Sequence, residues 1–308
     1  MSEPIRITDP RDERLDAYRN LNRSDARGHG PIIAEGPLVI PRLLASRYPV
    51  ESIIGFQPKL ATLLDNLEAI AAHVSTQPPA LSPAGSIADV AASLPDAMTP
   101  QQLSRLADQL ARVAVWEVPR EVLAEVAGFD VHRGLLAAAT RIPAQPVEEV
   151  LATATRLVIL EGVNDHENIG AIFRNAAGLG VDGVLFGAAT ADPLYRRVVR
   201  VSMGHVLRLP FAFLPGTPTT WQRSLEMVKA AGFQVVAMTP APDAVHLATA
   251  LDPTRKTALL VGAEGPGLTI HAQRAADVRA KIPMLPGTDS LNVATAAAIG
   301  MYEAARRS

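Results

Sequence analysis

The sequence predicts an α/β protein with a parallel sheet in its C-terminal part and a smaller α/β domain ahead of it. From Arg156 onward, apolar runs of strand length alternate with segments of helical periodicity, the pattern of a parallel sheet covered on both faces. Polar and glycine-rich segments follow those strands, where ligands sit in such sheets. Before Arg141 strands and helices mix less regularly. The expected domains are residues 1–145 and 150–308, joined through Arg141–Val147 (RIPAQPV).

In the first domain, GPIIAEGPLVI leads into PRLLAS, and Val50–Gly55 reads as a short strand. Leu60, Leu63, Leu64, Leu67 and Ile70 recur at three- and four-residue steps, which predicts a helix over 60–73. Val113–Val118 and Gly134–Ala138 are further strands. The Pro/Ala/Ser-rich stretch at about 74–102 is expected to be a loop or flexible insertion. In the second domain strands are expected at Arg156–Leu160, Gly183–Phe186, Gln234–Met238, Ala258–Val261 and Lys281–Met284. Helices are expected at Ile169–Leu179, Ser224–Ala231 and Leu291–Arg306.

Among 308 residues, 29 Lys plus Arg against 31 Asp plus Glu give a formal charge of −2. A polyanion partner would therefore need a local basic surface. The chain has no cysteine, which removes disulfides, thiolate metal sites and Cys nucleophiles. The histidines lack ligand spacing such as HxxxH, so no metal is expected. The N-terminus carries charges of both signs, and no apolar run approaches the ~20 residues of a membrane span. A cytoplasmic protein is expected.

Three motifs stand at successive strand ends. EGVNDHENIGAIFR (161–174) opens a helix, with Asn168 read as satisfying helix-start amides and Arg174 one turn beyond Gly170. LLVGAEGPGL (259–268) runs a strand into Gly262, Glu264, Gly265 and Gly267. It is not GxGxxG, and no helix is expected directly behind it, so a dinucleotide site is disfavoured. IPMLPGTDSLN (282–292) leads into the last helix, with Ser290 or Asp289 as its expected cap and Asn292 in its first turn. Each alone is a capped helix or a glycine turn; together they converge on one sheet edge.

With order and spacing intact over about residues 155–306, NxGxxxR, GxExxGL and IPMxxxxxSLNV resemble the SpoU (TrmH-like) branch of the SPOUT methyltransferases. The segments IIAEGPLVIPRLL and VHRGLLAAATR are similar to the L30e-like substrate-binding domain often attached to that branch. The resemblance implies an S-adenosylmethionine-dependent RNA ribose 2′-O-methyltransferase, a homodimer, with a deep trefoil knot in its parallel-sheet domain. It implies structured RNA as substrate, ribosomal ahead of transfer RNA.

Carried onto this chain, the resemblance places Gly262, Glu264, Gly267, Ile282, Met284, Leu291 and Asn292 around the donor. Arg174, Asn168, Glu264, Ser290 and Asn292 match its catalytic positions. A guanidinium stays protonated, so Arg174 is expected to stabilise a developing alkoxide or hold a phosphate rather than act as base. RNA contacts are expected from Arg196, Arg200 and Arg208 in a helix-then-strand stretch, and from Arg27 and Arg133 in the first domain, with Arg23 and Arg42 weaker candidates. Met203 stands where some relatives carry a basic residue, and Arg200 is the expected substitute. His166 and His205 read as structural or RNA-contacting. The competing expectation is a catalytically inactive RNA-binding or ribosome-assembly factor of the same fold.

Overall fold

The computed structural model describes residues 3–21, 30–76, 98–285, 287 and 290–306. Arg23, Arg27, Asp289 and most of the expected insertion lie outside the described residues. The first part of the chain carries strands β1 (Ile5–Arg6), β2 (Ile32–Glu35), β3 (Val50–Gly55), β4 (Ala114–Glu117) and β5 (Leu135–Ala139). Its helices are α1 (Val39–Leu44), α2 (Gln57–Thr76), α3 (Pro100–Leu110) and α4 (Arg120–Ala127). Then follow α5 (Val147–Thr153), β6 (Arg156–Glu161), α6 (His166–Gly178), β7 (Gly183–Phe186), α7 (Arg196–Val201) and β8 (Phe211–Phe213). Next are α8 (Leu225–Ala230), β9 (Phe233–Met238), β10 (Val245–His246), α9 (Leu247–Ala250) and β11 (Lys256–Gly262). The described chain ends with α10 (Ile270–Ala275), β12 (Val278–Lys281) and α11 (Val293–Arg306).

Two compact units result. One comprises Met1–Ile142 with Leu194–Arg208, the other Pro143–Pro193 with Leu209–Ser308.

The first unit holds a five-stranded mixed sheet in the order β1-β4-β3-β5-β2, with β5 antiparallel to both neighbours. Tyr18 is fully buried, and its hydroxyl bonds the Ser52 carbonyl (3.0 Å) and hydroxyl (2.8 Å), so its polar end is satisfied. The edges of the expected insertion are helical: α2 runs to Thr76, and α3 opens at Pro100. Thr99 and Gln102 form a reciprocal capping box there.

Segment 194–208 also differs from expectation. After α7 the chain turns through left-handed Met203 (φ 55°) and Gly204 (φ 81°) into a 3-10 turn at His205–Leu207, with no strand. It packs within the first unit. Arg196 bonds Glu35 at 3.0 Å and lies 4.4 Å from the Phe129 ring centroid. Arg42, itself buried, donates to the Met203 carbonyl.

The second unit is built on a seven-stranded, all-parallel sheet in the order β10-β12-β9-β11-β6-β7-β8. Its central strands read as near-continuous apolar runs because both faces are covered. The order grows outward from β6 through β7 to β8, then resumes at β9 and fills the gap with β11. The reversal falls between β6 and β11, where Glu161 stands beside Gly262. In α6, Ile169, Ile172, Phe173 and Ala176 face the core. In α11 small residues permit close packing; a Cβ on Gly300 would lie 2.8 Å from Met238 Sδ.

Four local expectations are corrected. Asp165, not Asn168, caps α6, accepting from the Glu167 amide at 2.7 Å. The last strand is Val278–Lys281 rather than Lys281–Met284, since Pro283 has no amide for the ladder. The final helix starts at Val293, and Asn292 rather than Ser290 caps it, accepting from Ala294 (3.0 Å) and Thr295 (3.1 Å) amides. A helix does follow the glycine loop: α10, capped by Thr269. Among the described residues no helix is long and apolar enough to cross a membrane, and no cluster of three His, Asp or Glu is placed to hold a metal.

Asp182 ties the entry to β7 onto the start of β6, accepting from the Thr155 amide (2.8 Å), the Thr155 hydroxyl (2.8 Å) and the Arg156 amide (2.9 Å). Partial burial pushes its carboxyl up, but these bonds and the Arg156 charge outweigh burial and hold it below the ordinary carboxylate value. A depressed folded-state pKa contributes stability above the unfolded value, near 3.9, and loses it as pH falls through the folded value. Asp182→Asn is therefore expected to lower the Tm by about 2–4 °C at pH 7. In thermal scans across pH, that deficit should shrink below about pH 4.

Candidate active site

Beyond the carboxyl ends of β9, β11 and β12 lies a cavity of about 620 Å³, within the size range of small-molecule sites. Its walls are Met238–Ala241 after β9, Val261–Leu268 after β11, and Ile282, Met284 and Ser290–Val293 after β12. Gln273, Ala280 and Ala296 complete it.

Glycine shapes the β11 wall. A Cβ on Gly262 would sit 2.4 Å from Gly267 C and Leu268 N, so the loop can fold back only over a bare α-carbon. The Gly267 amide closes the fold on the Ala263 carbonyl at 3.0 Å. Gly265 (φ 84°) and Gly267 (φ 69°) take left-handed conformations that L side chains rarely adopt. Backbone groups thereby form much of the wall, interleaved with apolar Val261, Leu268, Ile282, Met284 and Leu291.

Asn292 joins the three motifs. Its Nδ2 donates to Asn168 Oδ1 (2.8 Å) and to Glu264 Oε1 (2.6 Å), while its Oδ1 caps α11. Flipping the amide would set an oxygen against the Glu264 carboxylate and an NH2 against two backbone N–H donors, so its orientation is determined. Asn168 is 7% exposed and is the third residue of α6; Asn175, two turns on, donates to the Ala294 carbonyl at 3.4 Å. Both asparagines thus face α11.

The structure brings Gly262, Glu264, Gly267, Ile282, Met284, Ser290, Leu291 and Asn292 to one cavity, with Asn168 attached through Asn292. Arg174 is not in the lining; it lies exposed on α6, about 9 Å along the helix axis from Asn168. Of the expected RNA contacts, Arg200 and Arg133 are exposed. Arg196 is largely buried against Glu35 and Phe129, and Arg208 bonds Gln102 at 3.2 Å. Sequence reasoning missed the Met238–Ala241 wall and Gln273. The signal for the first was a strand ending in TPAP, where two prolines stop further ladder pairing.

Sheet and cavity together define an α/β protein with a small-molecule site at its strand ends, and comparison with known proteins makes the class definite. Residues 155–302 match the model of the SpoU rRNA Methylase family. A Mycobacterium tuberculosis protein named as an uncharacterized tRNA/rRNA methyltransferase is 44% identical over 307 residues, covering 97% of this chain and 91% of that one. An AdoMet-bound rRNA methyltransferase from Sinorhizobium meliloti superposes with a TM-score of 0.69 at 25% identity, over 98% of this chain and 97% of that one. The SpoU methyltransferase AviRb from Streptomyces viridochromogenes shares the fold, with a TM-score of 0.66 at 22% identity, over 96% of this chain and 97% of that one. The chain belongs to the SpoU methylase family. It is an RNA methyltransferase.

The glycine wall yields a graded expectation. Gly262→Ala forces a Cβ into backbone and should cost about 1–3 kcal/mol of stability. Gly265→Ala meets open space and should cost only the left-handed strain, about 1 kcal/mol. Denaturant unfolding of the two variants should rank them in that order.

Proposed function

We propose that the chain transfers a methyl group from S-adenosylmethionine to a ribose 2′-hydroxyl of structured RNA, ribosomal ahead of transfer RNA. The observation that carries this reading is the Asn292 amide, which ties the first turn of α6 to the loops after β11 and β12 at the cavity rim. S-adenosylmethionine is the methyl donor, supplying a methyl group activated on a sulfonium. The cavity suits it: Gly262 and Gly267 offer bare backbone, and Ile282, Met284 and Leu291 offer apolar walls.

Glu264, Ser290 and Asn292 hold the donor side of the site, and Asn168 and Arg174 on α6 serve the acceptor. Arg174 stays charged and stabilises the oxygen as it loses its proton, or holds the neighbouring phosphate. The proton itself passes to water or a substrate phosphate. Orientation of the two reactants supplies much of the acceleration.

The first unit acts as an L30e-like module that recognises folded RNA by shape. Arg200 and Arg133, both exposed, are the side chains to contact phosphate, whereas Arg196 and Arg208 serve packing. A homodimer fits the α11 surface, where Ile299 (38% exposed) and Tyr302 (58%) form an apolar stripe at helical spacing. The trefoil knot belongs to the same reading, made by the chain around the β11 and β12 loops. A ribosomal substrate sets the site of action in the cytoplasm.

Purified protein given labelled donor and RNA from a strain lacking the gene should label ribose 2′-positions, located by ribose-methylation mapping. Base labelling would overturn the ribose assignment. Donor or RNA binding without any transfer would favour an inactive RNA-binding factor. Arg174→Ala should lower kcat on the order of 10²–10³-fold and leave donor affinity within about threefold; wild-type turnover would sink its role.

A further inference from the structure

Glu161 is 5% exposed at the last position of β6, yet among the described residues no cation stands among its hydrogen-bond partners. Its Oε1 accepts from Trp221 Nε1 (3.0 Å) and the Thr269 hydroxyl (2.9 Å), and its Oε2 accepts from the Thr269 amide (2.8 Å). Indole and backbone N–H groups only donate. The Thr269 hydroxyl gives its hydrogen to Oε1 while it accepts the Ala272 amide that opens α10 (3.2 Å). Three donors thus converge on one buried carboxyl group.

The location gives this arrangement a consequence. Glu161 pairs in register with Gly262, where the cavity wall begins, and grips Thr269, directly after the wall ends at Leu268. The loop between them is therefore pinned at one end by the sheet and at the other by this carboxylate. Thr269 also sets the start of α10, which carries Gln273; Gln273 Nε2 donates to the Leu268 carbonyl at 3.0 Å and lines the cavity.

We propose that Glu161 is a positioning residue for donor binding, holding the 262–268 wall and Gln273 at the spacing the methyl donor requires. This rests on the reading of the cavity as the donor site.

Glu161→Gln keeps the shape but turns an NH2 against at least one of the three donors. Steady-state kinetics with S-adenosylmethionine and the RNA substrate should show the donor KM raised about tenfold, the worth of one buried donor left unsatisfied. The kcat at saturating donor and the KM for RNA should stay within about twofold. Thr269→Val, which removes one of the bonds, should raise donor KM in the same direction, and its effect should be non-additive with Glu161→Gln. Trp221→Phe, which removes the donor that belongs neither to the loop nor to α10, should lower Tm without moving donor KM.

A fall in kcat at unchanged donor KM, additive effects, or an equal KM rise in Trp221→Phe would each overturn the proposal. Should Glu161→Gln not fold, unchanged donor affinity of Thr269→Val by calorimetry overturns it as well. Ala296→Trp, which fills the cavity, separates the two levels. If it leaves donor binding intact, the cavity is not the donor site. If it abolishes binding while Glu161→Gln leaves KM unchanged, the site reading stands and the role of Glu161 falls.

Discussion

The site depends on one side-chain amide having no spare valence. Asn292 uses both N–H bonds and its oxygen at once, toward α6, toward the β11 loop and toward the first amides of its own helix. An amide is the side chain that can do this, because it presents two donors and an acceptor from the two ends of one planar group. Capping α11 fixes where that helix begins, and the same rotamer fixes how far Asn168 and Glu264 stand from it. The termination of a helix and the assembly of a site are one interaction. Asparagine is required here in a way a general N-cap residue is not, since Ser or Asp would cap without donating to both partners.

That amide matters because the sheet has already delivered the loops to the same edge. Seven parallel strands all end on one side, so every loop after a strand opens there. The order reverses between β6 and β11, which puts the first and second motifs on adjacent strands although about one hundred residues separate them. What remains is to keep the loops from collapsing into the gap. Gly262 does so by omission, letting the chain double back against its α-carbon, and Glu161 pulls in the opposite direction on Thr269. The wall is held between a close approach and a tether.

The parts legible in the sequence were those where backbone geometry restricts residue type. Gly262, Gly265 and Gly267 could be read as a site because few other residues fit such a loop. The strands of the second unit could be read because burial on both faces makes them apolar throughout. Asn168 was misread because an asparagine near a helix start looks the same whether it caps or reaches a neighbouring helix; the choice was made by Asp165, three residues earlier. The cavity wall at Met238–Ala241 was silent, since it contributes position rather than functional groups. Segment 194–208 was also opaque. Its arginines resemble a phosphate surface in one dimension, and only tertiary pairing reveals that Arg196 answers Glu35 and Phe129.

That last point bears on how a chain of net charge −2 can act on a polyanion. Charge paired inside a unit does not attract phosphate, because its field is already met at short range. Of the arginines expected to meet the RNA, setting Arg196 and Arg208 aside leaves Arg133, Arg174 and Arg200 exposed among the described residues. The exposed Arg174 stands on the same helix as the buried Asn168, so the Asn292 tether that assembles the cavity rim also fixes the helix that carries this charge.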